Sequence, residues 1–432
     1  MEQFLYYLKV SLISIKRAPL PYALTIFILS LGLGVFFANA TFYYQMNSDP
    51  LPHKSDKLFF PMTLMVPYDC SGCTPPSILS YSNVQKLASS GIPSAHAAMY
   101  SSDGYLRLDS NQMPTPVSIR ITQPDFFSMF EVPLLHGSIW ADDKARYELI
   151  LSKPTAEKMF GHTEVVGKKI LLDDRHFTVI GVLDDWQMLP RLYDANNRRY
   201  LSEADQLYMP LETGYDLNYL SNTQSANLGD IDWRQLATQG RTGAFHQLQF
   251  WVQLDTEAQQ QRYRQFMSNL IADEQKAGRH PATPNNQLVP MHDIVRYFGG
   301  ESGDVKAFAL VTLLFLGVCL FNASHLSLNR YISNQYEFSL RRALGASRTQ
   351  LQLQMLVDVM LMGLFCSVCG LLIAWGGVVL LNALWPSFSQ FARWDLTLLT
   401  MLLVLTFSLS YLVTLYPSLR ASFGALNQQL KE

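Results

Sequence analysis

The segment from Glu337 to Arg348 concentrates the charged side chains with the clearest potential for binding chemistry in this sequence. It reads E-F-S-L-R-R-A-L-G-A-S-R and sets Arg341, Arg342 and Arg348 against a single acid, Glu337. Glu337 and Arg341 are four residues apart, as are two leucines, which favours a short helix with an ion pair and an apolar stripe. These side chains can form ion pairs with a partner, and their types do not suggest catalysis. A second interpretation is that the segment is a basic anchor that holds a membrane loop in the cytoplasm.

The same segment predicts where its helices end. Gly345 can adopt the left-handed backbone conformation that ends a helix, and Ser347 is a residue type that caps the start of the next helix. A short turn between two helices is therefore expected at 345–347.

Two of the five cysteines, Cys70 and Cys73, lie in a proline-rich loop as C-S-G-C. A local disulfide is the favoured interpretation, while redox exchange and metal binding are alternatives that lack a second thiol pair or a histidine nearby. Cys319, Cys366 and Cys369 lie inside apolar runs, where we expect them to act as small hydrophobic residues.

The remaining candidates for catalysis are weak. The stretch from Gly161 to Lys169 imitates a phosphate-binding loop, but five residues separate its glycines where four are required, and Lys169 stands where a serine or threonine would bind the metal. Adjacent aspartates at 173–174 and at 184–185 have diverging side chains, and no H-E-x-x-H or G-x-S-x-G motif occurs. The sequence therefore predicts no catalytic residue, metal or cofactor in this chain.

Four apolar runs are long enough to cross a bilayer. The expected segments are an amphipathic helix at 1–17, spans at 18–44, 306–329, 351–384 and 395–419, a basic loop at 330–350 and a tail at 420–432. Lysine and arginine flank the first and fourth spans and fill the basic loop, so the positive-inside bias places both termini in the cytoplasm. Residues 45–305 then lie on the far side of the membrane.

The first span has an alternative interpretation. A basic pair at 16–17, an apolar run and A-N-A at 38–40 imitate a secretory signal with its cleavage site. The run is about twice as long as a usual signal core, and the aromatic residues at 42–44 fit a membrane interface. A retained span is therefore favoured.

Four residues inside the spans have types that suggest a role. Gly32 and Gly34 leave a notch in which another helix, including one from a second copy, could pack closely. His325 and Asp358 are ionisable at a depth where charge is costly. Their proximity to the basic loop favours a place at the interface over a proton pathway.

Residues 45–305 have the patterning of an α+β domain. The pattern predicts strands at 58–66, 96–108, 245–254 and 287–291 and helices at 78–88 and 257–277. The order strand, helix, strand occurs at about 55–108 and again at about 242–295, which suggests a split β-α-β layer with an inserted β-rich subdomain at about 109–241. The predicted fold class is an α+β membrane protein with four spans and this large domain between the first and second.

The stretch 183–227 is rich in loops and aromatic side chains. Its aromatic residues include Trp186, Tyr193, Tyr200, Tyr208, Tyr215 and Tyr219. A surface for a partner or an apolar peptide and a set of staples for an irregular loop are both consistent with this composition.

The basic segment closely resembles the E-I-G-I-R-R-A-L-G-A-S signature of the FtsX-like and MacB-like permeases of ABC transporters. It departs from that signature at Phe338, Ser339 and Leu340. In that family the segment is cytoplasmic and docks on a separate ATPase. The resemblance implies a docking surface formed by Glu337, Phe338, Arg341, Arg342, Leu344, Gly345, Ser347 and Arg348.

A second resemblance covers the region before the second span. T-Q-P-D-F-F at 122–127, a helix ending in M-F-G at 159–161, then V-G-K and V-I-G-V by residue 182, are similar to the periplasmic core domain of MacB-like permeases. The Y-P-S-L-R at 416–420 resembles the closing P-x-x-R of the family.

The resemblance implies a non-catalytic permease subunit of the bacterial inner membrane. It would act as a dimer, with this chain or a paralogue as the second permease, and with a separate ATPase that binds ATP and Mg²⁺ and pushes on the docking loop. Export of a peptide, antibiotic or toxin with a periplasmic adaptor and an outer-membrane channel is the leading expectation. Lipoprotein extraction, and a non-transport role as regulator of a cell-wall hydrolase or as ligand sensor, are alternatives. The net charge of -2 indicates no nucleic-acid partner.

Overall fold

The chain divides into two compact units in the computed structural model. One unit comprises Met1–Gln45 with Glu301–Glu432, and the other comprises Met46–Gly300. The structure describes residues 2–46, 48–63, 76–142, 144, 146–197, 202–223, 225–227, 241, 245–278, 286–297, 303–333, 336, 340–341, 343–384, 399–401, 403–409 and 411–413.

Within the described residues the α-helices and strands of the two units have the following bounds. The helices are α1 (Glu2–Arg17), α2 (Pro19–Met46), α3 (Tyr81–Ala88), α4 (Asp125–Met129), α5 (Lys153–Phe160), α6 (Leu211–Asp216), α7 (Glu257–Lys276), α8 (Ile294–Tyr297), α9 (Gly303–Ser333) and α10 (Arg348–Leu384). The strands are β1 (Leu58–Thr63), β2 (Leu79–Ser80), β3 (Ala95–Arg107), β4 (Thr115–Thr122), β5 (Leu134–Gly137), β6 (Glu148–Leu151), β7 (Lys169–Leu172), β8 (Arg175–Leu183), β9 (Leu207–Pro210), β10 (Ala226–Asn227), β11 (Phe245–Gln253) and β12 (Asn286–Pro290).

Three described helices are long and apolar enough to cross a membrane. These stretches are Pro19–Thr41 in α2, Ala307–Asn329 in α9 and Thr349–Leu380 in α10. They match three of the expected spans. A shorter apolar helix covers Leu399–Val413, and because the span expected at 395–419 lies partly outside the described residues, it stays a prediction.

The helix α2 lies inside the membrane unit. Leu29 and Leu33 are at most 1% exposed, and Leu29 shares a small core with Ala323 of α9, Cys366 of α10 and Val413. By contrast, only 17% of the most apolar stretch of α9 is buried inside the protein. The corresponding share is 44% in α2 and in α10. The apolar side chains of α9 therefore face outward, as expected for contact with lipid or another subunit.

The soluble unit is built on one continuous sheet. Its strands follow the order β12-β1-β11-β3-β4-β9-β6-β8-β5. In the first four strands every neighbour is antiparallel, and α3 connects β1 to β3 as α7 connects β11 to β12. This is the strand order of a split β-α-β layer, the arrangement that the repeated strand, helix, strand pattern predicts.

The insertion extends the same sheet. β4 pairs antiparallel with β3, β9 runs parallel to β4, β6 is antiparallel to β9, and β8 is parallel to β6. The hairpin formed by β7 and β8 also returns to β3, through the pair Leu106 and Leu172. The strands predicted within 109–241 therefore share hydrogen bonds with the split layer.

Local signals explain the element boundaries. α7 begins with a capping box in which the Thr256 hydroxyl accepts from the Gln259 backbone and the Gln259 side chain accepts from the Thr256 backbone. α5 ends at Gly161, whose φ of +78° lies in the left-handed region that glycine adopts without a steric cost. The helix α7 was expected from its residue pattern, and α5 from the family resemblance.

The sheet is covered on both faces. On one face Tyr100 and Leu106 of β3 join the main core with Tyr263 and Met267 of α7. On the other face an aromatic and ionic layer includes Trp251, which is fully buried. All but the last residue of β11 is buried. The buried residues of this strand include the polar side chains of His246, Gln247 and Gln249, so the ionic and aromatic layer extends onto it.

Candidate functional site

The predicted docking segment forms a turn with a defined helix end. The helical residues around Leu340 and Arg341 stop at Gly345, whose φ of +100° lies in the left-handed region. The backbone N–H of Ala346 donates to the carbonyl oxygen of Arg341 at 3.0 Å, which is the longer hydrogen bond of a Schellman motif. The predicted role of Gly345 as a helix end is confirmed.

The next helix is capped immediately after the turn. Ser347 Oγ accepts a hydrogen bond from the Gln350 backbone N–H at 3.2 Å, and Gln350 Oε1 accepts from the Ser347 backbone N–H at 2.9 Å. The pair is a capping box at the start of α10, so the capping role predicted for Ser347 is also confirmed. Two helix ends therefore hold this turn in one conformation.

Arg341 has a partner within its own chain. Its Nη1 donates to Gln354 Oε1 of α10 at 2.6 Å. The predicted ion pair with Glu337 lies outside the described residues. The contact with Gln354 means that Arg341 fixes the turn against α10, a role that the spacing of charges alone did not indicate.

The turn exposes an apolar side chain. Leu344 is 81% exposed, and Leu340 on the same short helix is 42% exposed. Burying a leucine completely is worth about 1.5–3 kcal/mol, so this side chain offers binding free energy to a partner. Glu337, Phe338, Arg342 and the side chain of Arg348 complete the predicted surface but lie outside the part of the chain that the structure describes.

The helices α2 and α10 lie side by side and run in the same direction. The Tyr22 hydroxyl donates to Asp358 Oδ1 at 3.2 Å, and the Ser30 hydroxyl donates to the Cys366 carbonyl oxygen at 3.4 Å. Both pairs are separated by 336 residues, so the register is the same across two turns. Asp358, singled out for its charge, therefore has a buried tyrosine partner that the sequence alone did not indicate.

Gly32 and Gly34, where close packing of another helix was predicted, do pack closely against helices of this chain. A Cβ added at Gly34 would stand 2.7 Å from Ile373 Cγ2 of α10. A Cβ added at Gly32 would stand 2.7 Å from Cys319 Cβ of α9. The close packing is therefore confirmed, but the suggested second copy is wrong for this notch because helices of the same chain fill it.

The aromatic stretch in the soluble unit is part of the protein interior. Tyr193, Tyr208 and Tyr215 are at most 7% exposed. Phe126 packs edge-on against Tyr193, with ring centroids 5.4 Å apart. The interpretation as a partner surface is wrong for these tyrosines, since they staple an irregular segment onto the sheet; Tyr200 lies outside the described residues.

A buried ionic cluster lies beneath these rings. Arg120 of β4 donates to Asp194 Oδ2 at 2.7 Å through Nη2 and to Asp205 Oδ2 at 2.7 Å through Nε, and it is fully buried. Arg191 contacts both aspartates. Arg120 alternates with apolar residues along β4, and the segment that carries Asp194 and Asp205 covers the face on which the arginine lies.

The cluster keeps its charges in the folded state. Burial alone would raise the pKa of the Asp194 carboxyl, but Arg120 and Arg191 more than offset this and hold its pKa below the usual range. Gln249 Nε2 also donates to Asp194 Oδ1 at 2.7 Å. The two arginines and two aspartates therefore neutralise one another within the protein.

A cavity of about 830 Å³ lies between α3 and α6 in the soluble unit. Tyr81 donates to Glu212 Oε1 at 2.6 Å, and Arg241 Nη2 donates to Glu212 Oε2 at 2.6 Å and to Asp216 Oδ1 at 2.7 Å. Burial, followed by the bond to Glu212, raises the pKa of Tyr81 to about 12. The lining carboxylates on α6 are thus already paired.

The candidate metal and catalytic residues do not converge. No group of three or more His, Cys, Asp or Glu side chains suited to a metal ion occurs within the described ranges. Asp173 accepts from the Tyr105 backbone and the Tyr219 hydroxyl, while Asp174 pairs with Arg107. Cys70 and Cys73 lie outside the described residues, so the disulfide stays a prediction.

Two family models match the sequence. A model described as a MacB-like periplasmic core domain matches residues 22–269, and one described as an FtsX-like permease C-terminal region matches residues 306–425. Between them they include the soluble sheet apart from β12, the buried cluster, the docking turn and α10.

The solved structures that match the chain are distant in sequence. The periplasmic region of MacB from Actinobacillus actinomycetemcomitans is 14% identical, with a TM-score of 0.37 over 60% of this chain and 99% of that chain. The extracellular domain of the noncanonic ABC-type transporter YknZ from Gram-positive bacteria is 15% identical, with a TM-score of 0.34 over 54% of this chain and 99% of that chain. No curated protein sequence matches the chain.

Proposed function

Because the chain belongs to the family of MacB-like and FtsX-like permeases of ABC transporters, we propose that it converts ATP hydrolysis by a separate ATPase into a rearrangement of its soluble domain. It spans the bacterial inner membrane, with both termini and the docking turn in the cytoplasm and the unit Met46–Gly300 in the periplasm. It acts with a second permease and with an ATPase that binds ATP and Mg²⁺.

The observation that carries this proposal is the exposed Leu344 on a rigid turn. The turn lies between two membrane-length helices, α9 and α10, and is held by the Gly345 helix end and the Ser347 cap. A loose loop would absorb a push from a partner, whereas a capped turn passes it to the helix that follows. An apolar side chain at its tip favours insertion into a groove on the ATPase.

The mechanism is mechanical. Closure of the ATPases on ATP moves the docking turn, and α10 moves with it because Arg341 is hydrogen-bonded to Gln354. The soluble domains then change their mutual arrangement. Arg342 and Arg348, basic residues beside the turn, contribute ion pairs to acidic groups on the ATPase.

The cargo enters from the periplasm or from the outer leaflet of the membrane. The described spans are strongly apolar, with a hydropathy of 2.1 to 2.4, which disfavours a polar route through the bilayer. A peptide, antibiotic or toxin, handed to a periplasmic adaptor and an outer-membrane channel, fits this geometry. Genes that encode such partners beside this one would support export, whereas a neighbouring hydrolase gene would support the regulatory alternative.

The test is the substitution Leu344→Asp in the full chain, reconstituted with its ATPase in nanodiscs. Losing a buried leucine contact worth about 1.5–3 kcal/mol weakens binding by about 10-fold to 150-fold. We expect that loss in the affinity for the ATPase and in the stimulation of ATP hydrolysis. Met113→Asp, at a site that is 86% exposed in the soluble unit, is the matched control and should leave both unchanged.

The contrary result is equally clear. If Leu344→Asp inserts in the membrane, keeps its unfolding midpoint and binds and stimulates the ATPase as the natural chain does, the docking turn is not the site of coupling. Arg342→Glu extends the test to the basic residues, with uncoupled hydrolysis as the expected result.

A further inference from the structure

The carboxylate of Asp358 is an unusual group for its location. It lies in the apolar helix α10, and it is only 9% exposed. An ionisable group inside a membrane helix is costly unless a partner compensates for the lost water. Here the Tyr22 hydroxyl of α2 donates to Asp358 Oδ1. This hydrogen bond from a second helix replaces part of the hydration that the carboxylate has lost.

The contact is the first of several that join the same two helices. Ser30 donates to the Cys366 carbonyl oxygen, Gly34 abuts Ile373, and Phe37 packs with Ala374. The partner positions advance together along the chain, so α2 and α10 are parallel and in contact for about four turns. Two helices joined by this many contacts move together more readily than they slide.

The docking turn connects to the same pair. Arg341 is hydrogen-bonded to Gln354, and Gln354 and Asp358 are four residues apart on α10, which is one helical turn. A displacement of the turn therefore reaches Asp358 within one turn of helix and reaches Tyr22 through a hydrogen bond. From Tyr22, α2 continues to Met46, where the soluble unit begins.

We propose that α2 and α10 form a single parallel strut that carries the movement of the docking turn to the soluble domain, with Tyr22 and Asp358 as the positioning residues that join its two helices. The helix α9 also leads to the soluble unit, but its most apolar stretch is only 17% buried, so it is less firmly held. This inference rests on the proposed function and specifies which helices transmit the movement.

The experiment compares four variants of the full chain in nanodiscs with its ATPase. Tyr22→Phe removes only the hydroxyl, and Asp358→Leu removes the acceptor. Asp358→Asn keeps an acceptor oxygen. Thr312→Val on α9 is the matched control, because its hydroxyl bonds to carbonyl groups of its own helix. Spin labels at position 113 of the two permease copies report the ATP-driven change in distance, and hydrolysis is measured in parallel.

We expect Tyr22→Phe and Asp358→Leu to bind the ATPase and hydrolyse ATP at the natural rate while losing most of the ATP-driven change in distance. Asp358→Asn and Thr312→Val should keep that change. A merely structural role would instead lower insertion or hydrolysis together with the distance change. The strut would be overturned if Tyr22→Phe and Asp358→Leu both kept the ATP-driven change in distance of the natural chain. It would also be overturned if Thr312→Val lost as much of that change as these two variants.

A second measurement separates this inference from the proposed function. The proposed function fails if the natural chain does not bind the ATPase and the distance between the two spin labels at position 113 does not change with ATP. The strut is still tested by the unfolding midpoint of the full chain in detergent. Tyr22→Phe and Asp358→Leu should each lower the midpoint, with the double variant no lower than the worse single variant. Additive losses would show that the two residues do not act together.

Discussion

Gly34 of α2 lies against Ile373 of α10, with only 2.7 Å between the position of an added Cβ and Ile373 Cγ2. Real carbon atoms do not approach so closely, so the two helices can pack this tightly only because residue 34 has no side chain. A backbone oxygen, that of Gly370, stands 3.0 Å from the same point. The contact leaves little room for adjustment.

Substitution at this contact should therefore be costly. Gly34→Ala forces α2 and α10 apart and should destabilise the chain by about 1–3 kcal/mol, the usual cost of overpacking. Gly377→Ala in α10 is the control, because nothing lies within 4 Å of its added Cβ. Thermal unfolding of the full chain in detergent measures both. Equal midpoints for the two variants would contradict the packing described.

The buried ionic cluster predicts a large effect of removing one charge. Asp194→Ala removes one of the two carboxylates that Arg120 and Arg191 share inside the protein and leaves Asp205 alone against both arginines. Breaking a buried ion pair in this way costs about 3–5 kcal/mol. Asp273→Ala, which breaks a pair with Lys276 between largely exposed side chains, should have no measurable effect. Denaturant unfolding followed by tryptophan fluorescence tests both, and a small loss in Asp194→Ala would mean that the cluster contributes little.

Acid should weaken the soluble unit through the same residue. The pKa of Asp194 is lower in the folded chain than in the unfolded chain, so its contribution to stability is present above the unfolded pKa and is lost as pH falls. We expect the unfolding midpoint to decline below about pH 5. In Asp194→Asn, which starts less stable, the decline should be shallower. Parallel pH profiles for the two proteins would rule out this role.

Much of the architecture could be predicted because its signals are local. A run of apolar residues predicts a span wherever it occurs, and the pattern of Thr256 and Gln259 predicts a helix start from four residues. The same holds for Gly345 and Ser347, whose backbone roles depend on the residues beside them. These features need no knowledge of distant contacts.

The rest could not be predicted because it depends on distant partners. Arg120 alternates with apolar neighbours like a solvated residue, and only the segment that carries Asp194 and Asp205 buries it. Asp358 was expected at the membrane interface from its sequence neighbours, but nothing near it in the sequence indicated its partner Tyr22, 336 residues away. Neither partner can be inferred from spacing, because no local pattern relates the paired residues.

The proposed arrangement in the membrane predicts opposite sidedness for two exposed residues. Cysteines introduced as Met113→Cys and Leu344→Cys, in a chain whose natural cysteines are replaced, offer sites that are 86% and 81% exposed. In intact spheroplasts an impermeant maleimide should label position 113 at once and position 344 only after permeabilisation. Labelling of both positions from the same side would end the proposal.

The most direct measurement of the central claim is a photo-crosslink from the docking turn. Benzoylphenylalanine placed at Leu344, and at Met113 as the control, is irradiated in cells that produce the ATPase. The account predicts a covalent adduct with the ATPase from position 344 and none from position 113. An ATPase adduct from position 113, or only lipid adducts from position 344, would contradict it.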